Sequence, residues 1–277
     1  MSSPHVTMTD MSSLHAGLHV LAFGSVTHVM AVINLSPESR NLHTIAPTPA
    51  AAMEMAHRHR DLGATIIDLG GQSSHYDNPT IDPAQELDRL LPVVAGLADK
   101  NFVVSVDTWK PEVAAACVKE GAVIINDTGG LIDRDMIEVV AANEVAAVMV
   151  YVEGKHPHDV GEIDYGPDKA KRTADVLEER IGRLATLGVD RLIIDPGIAL
   201  NYRGDYARYT QLQLDVIRQS QALHDLGHPV LIPIPRKKED HRAMAYITLA
   251  LEYGADVIRV HDVEEACDLV RLFGRLP

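Results

Sequence analysis

A single (β/α)8 barrel is the architecture this sequence predicts, and three observations predict it. One phrase returns four times: GATIID at 63–68, GAVIIN at 121–126, GVDRLIID at 188–195 and GADVIR at 254–259. The four starts lie 58, 67 and 66 residues apart, each interval being long enough for two βα units. Four further apolar runs, at 29–34, 103–107, 145–150 and 230–234, fall around and between these phrases, so the chain carries eight buried-strand patterns. The competing parallel architecture, a doubly wound open sheet, wants a glycine-rich turn directly after its first strand. Here the turn after Asn34 reads LSPES.

Taken in order, residues 1–25 have a flexible composition, with Ser2, Ser3, Ser12 and Ser13. Within them, 18–23 followed by Gly24 and Ser25 is expected to form a short hairpin that closes the barrel's bottom before the first strand. The rest, 26–277, reads as one barrel domain, because no low-complexity linker divides it. In each repeated phrase the glycine suits the left-handed position that closes a helix, and the β-branched run suits a strand covered on both faces. The intervening segments read as amphipathic helices. Residues 83–98 place Leu87, Leu90, Leu91 and Val94 at helical spacing, and 111–120 opens on a proline in its first turn.

Composition excludes several classes. Over 277 residues, 39 acidic side chains against 25 basic ones give a formal charge of -14, too acidic for a nucleic-acid binder. A chain that is 46% hydrophobic and 23% charged is neither disordered nor collagen-like. No run approaches the roughly 18 apolar residues of a membrane span, and 1–10 lacks a basic stretch feeding an apolar one, so the expectation is a cytoplasmic protein. Cys117 and Cys267 sit in apolar helical patterns and are expected to be buried thiols, with neither disulfide nor zinc spacing. Three Phe, eight Tyr and one Trp leave little to stack on a planar ligand, which would therefore be recognised through its polar edges.

In a (β/α)8 barrel the chemistry sits at the carboxyl ends of the strands. Those ends supply Asn34, Asp68, Asp107, Asn126, Asp195, the trio Pro235, Arg236 and Lys237, and the set Arg259, His261 and Asp262. One strand-end Asp capping the next helix would be unremarkable. Seven polar ends together are costly to bury unless they meet one another or a ligand. Asp107, Asn126 and Asp195 offer the acceptors and the amide needed to read the edge of a heterocycle such as an aminopyrimidinone. Arg259 and His261 are two apart on a strand, so they are expected to project together and share an anion. An acidic wall facing a cationic one suits a basic ring that carries a pyrophosphate.

These residues resemble the dihydropteroate synthase family. VMAVINLSPES at 29–39 is similar to its first signature and IDLGGQSS at 67–74 to its second; SVDT (105–108), IND (125–127), DPG (195–197), PRK (235–237) and RVHD (259–262) follow in the family's order. The resemblance implies a TIM barrel that joins a 7,8-dihydropterin pyrophosphate to p-aminobenzoate and releases pyrophosphate with Mg²⁺ on the way to folate. It implies a pterin-holding set of Asp107, Asn126, Asp195 and Lys237. It also implies a catalytic pyrophosphate set of Asn34, Arg259 and His261, with Lys237 counted among the catalytic residues and Asn34 as the metal ligand. A homodimer through helices near the carboxyl terminus is likewise implied.

The departures cluster on the second-substrate side. Arg40 replaces an aromatic residue, Asn41, Leu42 and His43 replace an Asp- and Gly-containing loop, and His75 and Tyr76 replace Arg-Pro. A phenylalanine is missing near Leu200, Pro235 stands for a serine, and the fifth strand ends Val150, Tyr151 and Val152 where the family has M-H-M. Arg40, Ser74 and His75 are the expected second-substrate residues. The altered walls leave open a different amine or water as acceptor, a non-catalytic pterin binder, and a methyltetrahydrofolate-dependent methyltransferase. The last has no pyrophosphate for Arg259 and His261 to hold.

Overall fold

A computed structural model describes residues 13–163, 166–235 and 241–277. The chain enters through a two-stranded antiparallel hairpin, β1 (Ser13–Ala16) and β2 (His19–Ala22). It lies earlier than the expected 18–23. Its turn is at Gly17 and Leu18, where Gly17 has φ +58° and Leu18 is 98% exposed, and Ser13 belongs to a strand although its composition reads as flexible. The reason is packing. Leu14 pairs with Leu21 across the hairpin, and both are buried against the barrel's lower interior.

Eight parallel strands follow: β3 (His28–Asn34), β4 (Ile66–Gly70), β5 (Val103–Asp107), β6 (Ile124–Asp127), β7 (Ala146–Val150), β8 (Leu192–Asp195), β9 (Leu231–Pro233) and β10 (Val257–Val260). Their order is β8-β7-β6-β5-β4-β3-β10-β9. The ring closes where Ile194 bridges Val230 in parallel and the Ile194 N–H donates to the Pro229 carbonyl at 2.9 Å. This is the TIM barrel that the eight apolar runs predict.

Between the strands lie α1 (Pro49–Leu62), α2 (Pro83–Ala98), α3 (Pro111–Lys119), α4 (Arg134–Asn143), α5 (Lys169–Thr186), α6 (Tyr206–Arg218), the short α7 (Gln221–His224), α8 (Arg242–Glu252) and α9 (Val263–Leu272). The glycines of the repeated phrases do what their position requires: Gly63 closes α1 at φ +118°, with its N–H on the carbonyls of Arg60 and His59. None of the described helices is long and apolar enough to cross a membrane. Both cysteines are buried, and burial pushes the Cys117 thiol up to about 12 and that of Cys267 up to about 11.

The period of two divides each strand. One parity, with Val29, Ala31, Ile67, Val104, Ile125 and Ile258, packs outward on the helices. The other parity points into the barrel. At the bottom it is apolar: Met30, Ile66, Ile124, Ala146, Leu231 and Val257 meet the hairpin's Leu14 and Leu21. Two residues further along β4, β6, β8 and β10, the same parity carries polar groups.

Candidate active site

Asp68 stands two residues after Ile66, Asn126 two after Ile124, Asp195 two after Ile193 and Arg259 two after Val257. Each therefore inherits an inward direction from an apolar neighbour already fixed in the floor. None of the strand-end acids Asp68, Asp107 and Asp195 caps the helix that follows. Those caps are made by separate residues, Asp82 for α2 and Asp205 for α6, whose side chains accept helix N–H bonds. The strand-end acids are left to meet one another.

Asp68, fully buried, is the hub. Its Oδ1 accepts from Ser105 Oγ at 2.6 Å; its Oδ2 accepts from Arg259 Nε at 2.7 Å and from Asn126 Nδ2 at 3.2 Å. Arg259 Nη2 reaches Asp107 Oδ2 at 2.6 Å, and Thr128 Oγ1 lies 3.4 Å from Asp107 Oδ1. Burial alone would lower the Arg259 pKa, but the charges of Asp68 and Asp107 outweigh it and hold the guanidinium above its ordinary value. Burial pushes Asp107 up to about 7, with Arg259 pulling the other way. Asp195 is also raised to about 7 by burial, against the Gly197 hydrogen bond and Arg259.

Two acceptors remain over. Asp195 Oδ1 takes the Gly197 N–H at 2.6 Å, which leaves the second oxygen for the cavity. Among the described residues, Asn126 Oδ1 is buried with no hydrogen-bond partner. An orphaned buried acceptor is uncommon and marks a place where a donor belongs. Both residues line an opening of about 340 Å³ at the mouth, together with Ser74, Asp107, Thr128, Leu200 and Arg259. A larger cleft of about 680 Å³ lies on the outside, between α5 and α6, but it carries no strand-end residue.

Gly197 holds this geometry. It has φ +70°, and a Cβ built there would lie within van der Waals overlap of the Tyr151 carbonyl oxygen, a backbone atom with nowhere to move. Gly197→Ala is expected to destabilise the protein by about 2 kcal/mol and to swing the Asp195 carboxylate off its N–H. Thermal unfolding and pterin titration of the variant check this.

The other expected site residues divide. Ser74 reaches the cavity rim. His75 is buried just behind it, with Nδ1 accepting the Asp77 N–H at 3.2 Å and its ring 4.6 Å from Tyr76. Arg40 is not at the cavity; it makes an exposed 3.1 Å ion pair with Asp77 across the loops after β3 and β4. Asn34 Nδ2 donates to Thr44 Oγ1 at 2.7 Å. His261 Nε2 accepts from Asn41 Nδ2 at 3.0 Å, and His43 contacts the His261 carbonyl at 3.3 Å. Lys237 lies outside the described residues.

β10 ends at Val260, one residue before His261, and Nε and Nη2 of Arg259 are engaged by carboxylates.

Sequence reasoning also left some residues without a role. Asp68 appears in the repeated phrase, yet only tertiary contact makes it the hub. Lys110 Nζ donates to Gln72 Oε1 (2.6 Å), the Ile81 carbonyl (2.7 Å) and Glu86 Oε2 (2.7 Å), locking the loop after β4; nothing in its spacing announces this. Asp127 accepts the N–H groups of Gly129 and Leu131 at 2.7 and 2.8 Å and shapes the turn beside Thr128.

No group of three or more His, Cys, Asp or Glu among the described residues is arranged to hold a metal ion. What the chain offers a divalent cation is the Asn34 carboxamide oxygen, because Nδ2 is occupied by Thr44. A single neutral oxygen suits Mg²⁺ that arrives on substrate phosphates, the usual way this ion is shared, and suits no all-protein site.

A parallel barrel whose carboxyl mouth presents buried, partly unsatisfied N–H acceptors beside a braced guanidinium defines a protein that binds a small, donor-rich planar guest. A family model described as pterin binding enzyme matches residues 30–271. The chain belongs to this family of pterin-binding enzymes, and it is similar to dihydropteroate synthases. It is 31% identical over 281 residues to the folate synthesis bifunctional protein of Arabidopsis thaliana, covering 92% of this chain and 58% of that one, so it spans little more than half of that relative. It is 28% identical to the dihydropteroate synthase of Bacillus subtilis, covering 96% of this chain and 94% of that one. The structure of Xanthomonas albilineans dihydropteroate synthase in complex with 7,8-dihydropteroate superposes with a TM-score of 0.74 at 28% identity, covering 95% and 97% of the two chains.

Proposed function

We propose that the protein condenses 7,8-dihydropterin pyrophosphate with p-aminobenzoate or a related amine, releasing pyrophosphate in a step of folate synthesis. The observation that carries this reading is the pair of unmet acceptors, Asn126 Oδ1 and the second oxygen of Asp195, at the base of the mouth. A pterin's amino and ring N–H groups are the donors such a pair lacks. The Asp195 carboxylate would face the ring's amidine-like edge and Asn126 its neighbouring edge. Asp107, braced by Arg259, would complete the wall, and Lys237 is assigned to the pterin from the motif it occupies.

The diphosphate would lie toward Asn34, Asn41 and His261, with Arg259 Nη1 at the boundary. Mg²⁺ bound with the diphosphate and touching Asn34 Oδ1 would neutralise the departing charge. The side chains bind and orient. As the carbon–oxygen bond to diphosphate breaks, the cation left on the pterin methylene would delocalise into the ring held by the Asp107 and Asp195 carboxylates, and an amine entering past Ser74 would capture it and release its N–H proton to solvent. No side chain has to abstract a proton from carbon.

Because only an ionised Asp195 accepts on both oxygens, pterin affinity is expected to rise as the pH increases through about 7. Titration calorimetry from pH 6 to 8 checks the direction; a flat profile would separate Asp195 from the ligand. For the reaction itself, purified protein supplied with dihydropterin pyrophosphate, Mg²⁺ and a panel of amines should release pyrophosphate and yield a coupled product of the expected mass. Release without coupling would make water the acceptor. Binding without release would leave a pterin-binding protein. A cytoplasmic homodimer is part of this proposal. The exposed Met244, Tyr253 and Leu272 on and beside α8 and α9 support a subunit contact there, which sedimentation would test.

A further inference from the structure

The mouth carries an aromatic and imidazole stack on the side opposite the loop after β3. Trp109, the chain's one tryptophan, stands two residues beyond Asp107 and lies flat on His156, with ring centroids 5.5 Å apart and planes 10° from parallel. The His158 ring sits 5.1 Å from Trp109 at 58°. His158 Nε2 lies 2.9 Å from the Ser73 carbonyl, and its Nδ1 lies 2.9 Å from Thr80 Oγ1. A carbonyl can only accept, so the Nε2 atom carries the proton and Nδ1 accepts from the threonine. Beneath the stack, a Cβ at Gly129 would come within 2.9 Å of Asp127 Oδ1 and 3.3 Å of both the Lys155 carbonyl oxygen and Trp109 Cβ, so the turn after β6 packs closely under Trp109.

The stack therefore joins the loops after β4, β5, β6 and β7. Its anchor on the β4 side is the residue next to Ser74, which lines the cavity. Ser73 in turn accepts Asn78 Nδ2 at 2.6 Å and the His75 N–H at 3.3 Å, so whatever holds Ser73 holds the whole turn. Trp109, His156 and His158 are all half-buried.

We propose that Trp109, His156 and His158 form a clasp that fixes the segment 73–78 at the rim of the cavity and so positions the acceptor side of the mouth. What it positions rests on the transferase reading above; that it holds the segment does not. The three act as positioning residues, through Ser73. Their stack supplies, from the loops after β5 and β7, rigidity that exposed contacts such as the Arg40–Asp77 pair provide only weakly.

Two measurements test it on the intact protein. In amide hydrogen exchange, His158→Ala should raise exchange in 71–82 while leaving the β5 and β6 strands protected. His158→Gln, whose amide nitrogen can still donate to the Ser73 carbonyl, should restore it. In steady-state kinetics, His158→Ala should raise the acceptor KM roughly tenfold, the scale of one lost hydrogen bond, and Trp109→Ala, which removes the stacked ring, should raise it in the same direction. The KM for the pterin substrate should stay within about twofold. Unchanged exchange in 71–82, or equal losses for both substrates, would overturn the clasp. Should the unaltered protein couple no amine at all, the transferase reading fails, and the exchange result alone decides the clasp.

Discussion

Asp195→Ala is expected to weaken pterin binding by roughly a hundredfold, the scale of removing a charged acceptor from a buried ligand contact. The carboxylate is nearly fully buried, it is the acceptor on the β8 side of the cavity, and Asn126 Oδ1 alone would face the ring's donors. Asp195→Asn separates shape from charge. It keeps an oxygen for the Gly197 N–H or for the ligand but presents an amide where a second acceptor is needed, so an intermediate loss is expected. Calorimetry with the dihydropterin, on variants whose unfolding transition remains cooperative, measures both. Wild-type affinity in a folded Asp195→Ala protein would remove Asp195 from the site.

The second large effect is on stability. Arg259→Ala leaves Asp68 and Asp107 facing each other with no counter-charge, and breaking a buried pair of this kind costs about 3 kcal/mol or more. Urea denaturation should show the midpoint falling with an unchanged slope. Arg259→Lys should not recover the loss, because one ammonium cannot span the Asp68 and Asp107 oxygens as the planar fork does. In binding, plain and pyrophosphorylated pterins are expected to lose affinity together, since the cradle itself loosens. A loss confined to the pyrophosphorylated ligand would give Arg259 to the diphosphate.

The same carboxylates make the free protein's stability depend on pH. Asp107 and Asp195 titrate near 7 in the folded state and Asp127 near 6, each raised above the ordinary 3.8 first of all by burial. A raised carboxyl stabilises the fold in its protonated form. Its contribution is complete below about pH 4 and is lost as the pH climbs through 6 to 7. Pterin binding, which draws on the ionised form, has the opposite preference, so ligand should stabilise the protein more at pH 8 than at pH 6.

Much of the site was legible before any coordinates. The strand-end residues Asn126, Asp195 and Arg259 come to one cavity because their phrases repeat, and Asp107 joins them from the end of a neighbouring apolar run. The N-terminal hairpin is present but begins earlier than 18–23: its turn is Gly17 and Leu18, and this register buries Leu14 and Leu21 against the floor, a tertiary contact that local turn residues do not announce. The spacing of Arg259 and His261 by two says nothing of the Asp68 and Asp107 carboxylates that engage Arg259 Nε and Nη2. Trp109, His156 and His158 carried no legible signal, as their partners come from four different loops.

What the sequence determined by itself is the architecture and the direction of its polar groups. Strand periodicity and capping glycines are local, and local rules suffice to send an aspartate two residues past a buried isoleucine into the same interior. Only the tertiary structure decided which of those groups satisfy each other and which stay open. Arg259 is consumed by Asp68 and Asp107, whereas Asn126 Oδ1 is left unpaired. That choice depends on distances between strands far apart in the chain, and hydrogen bonds and charges at a buried mouth are settled by those distances, to within a fraction of an ångström.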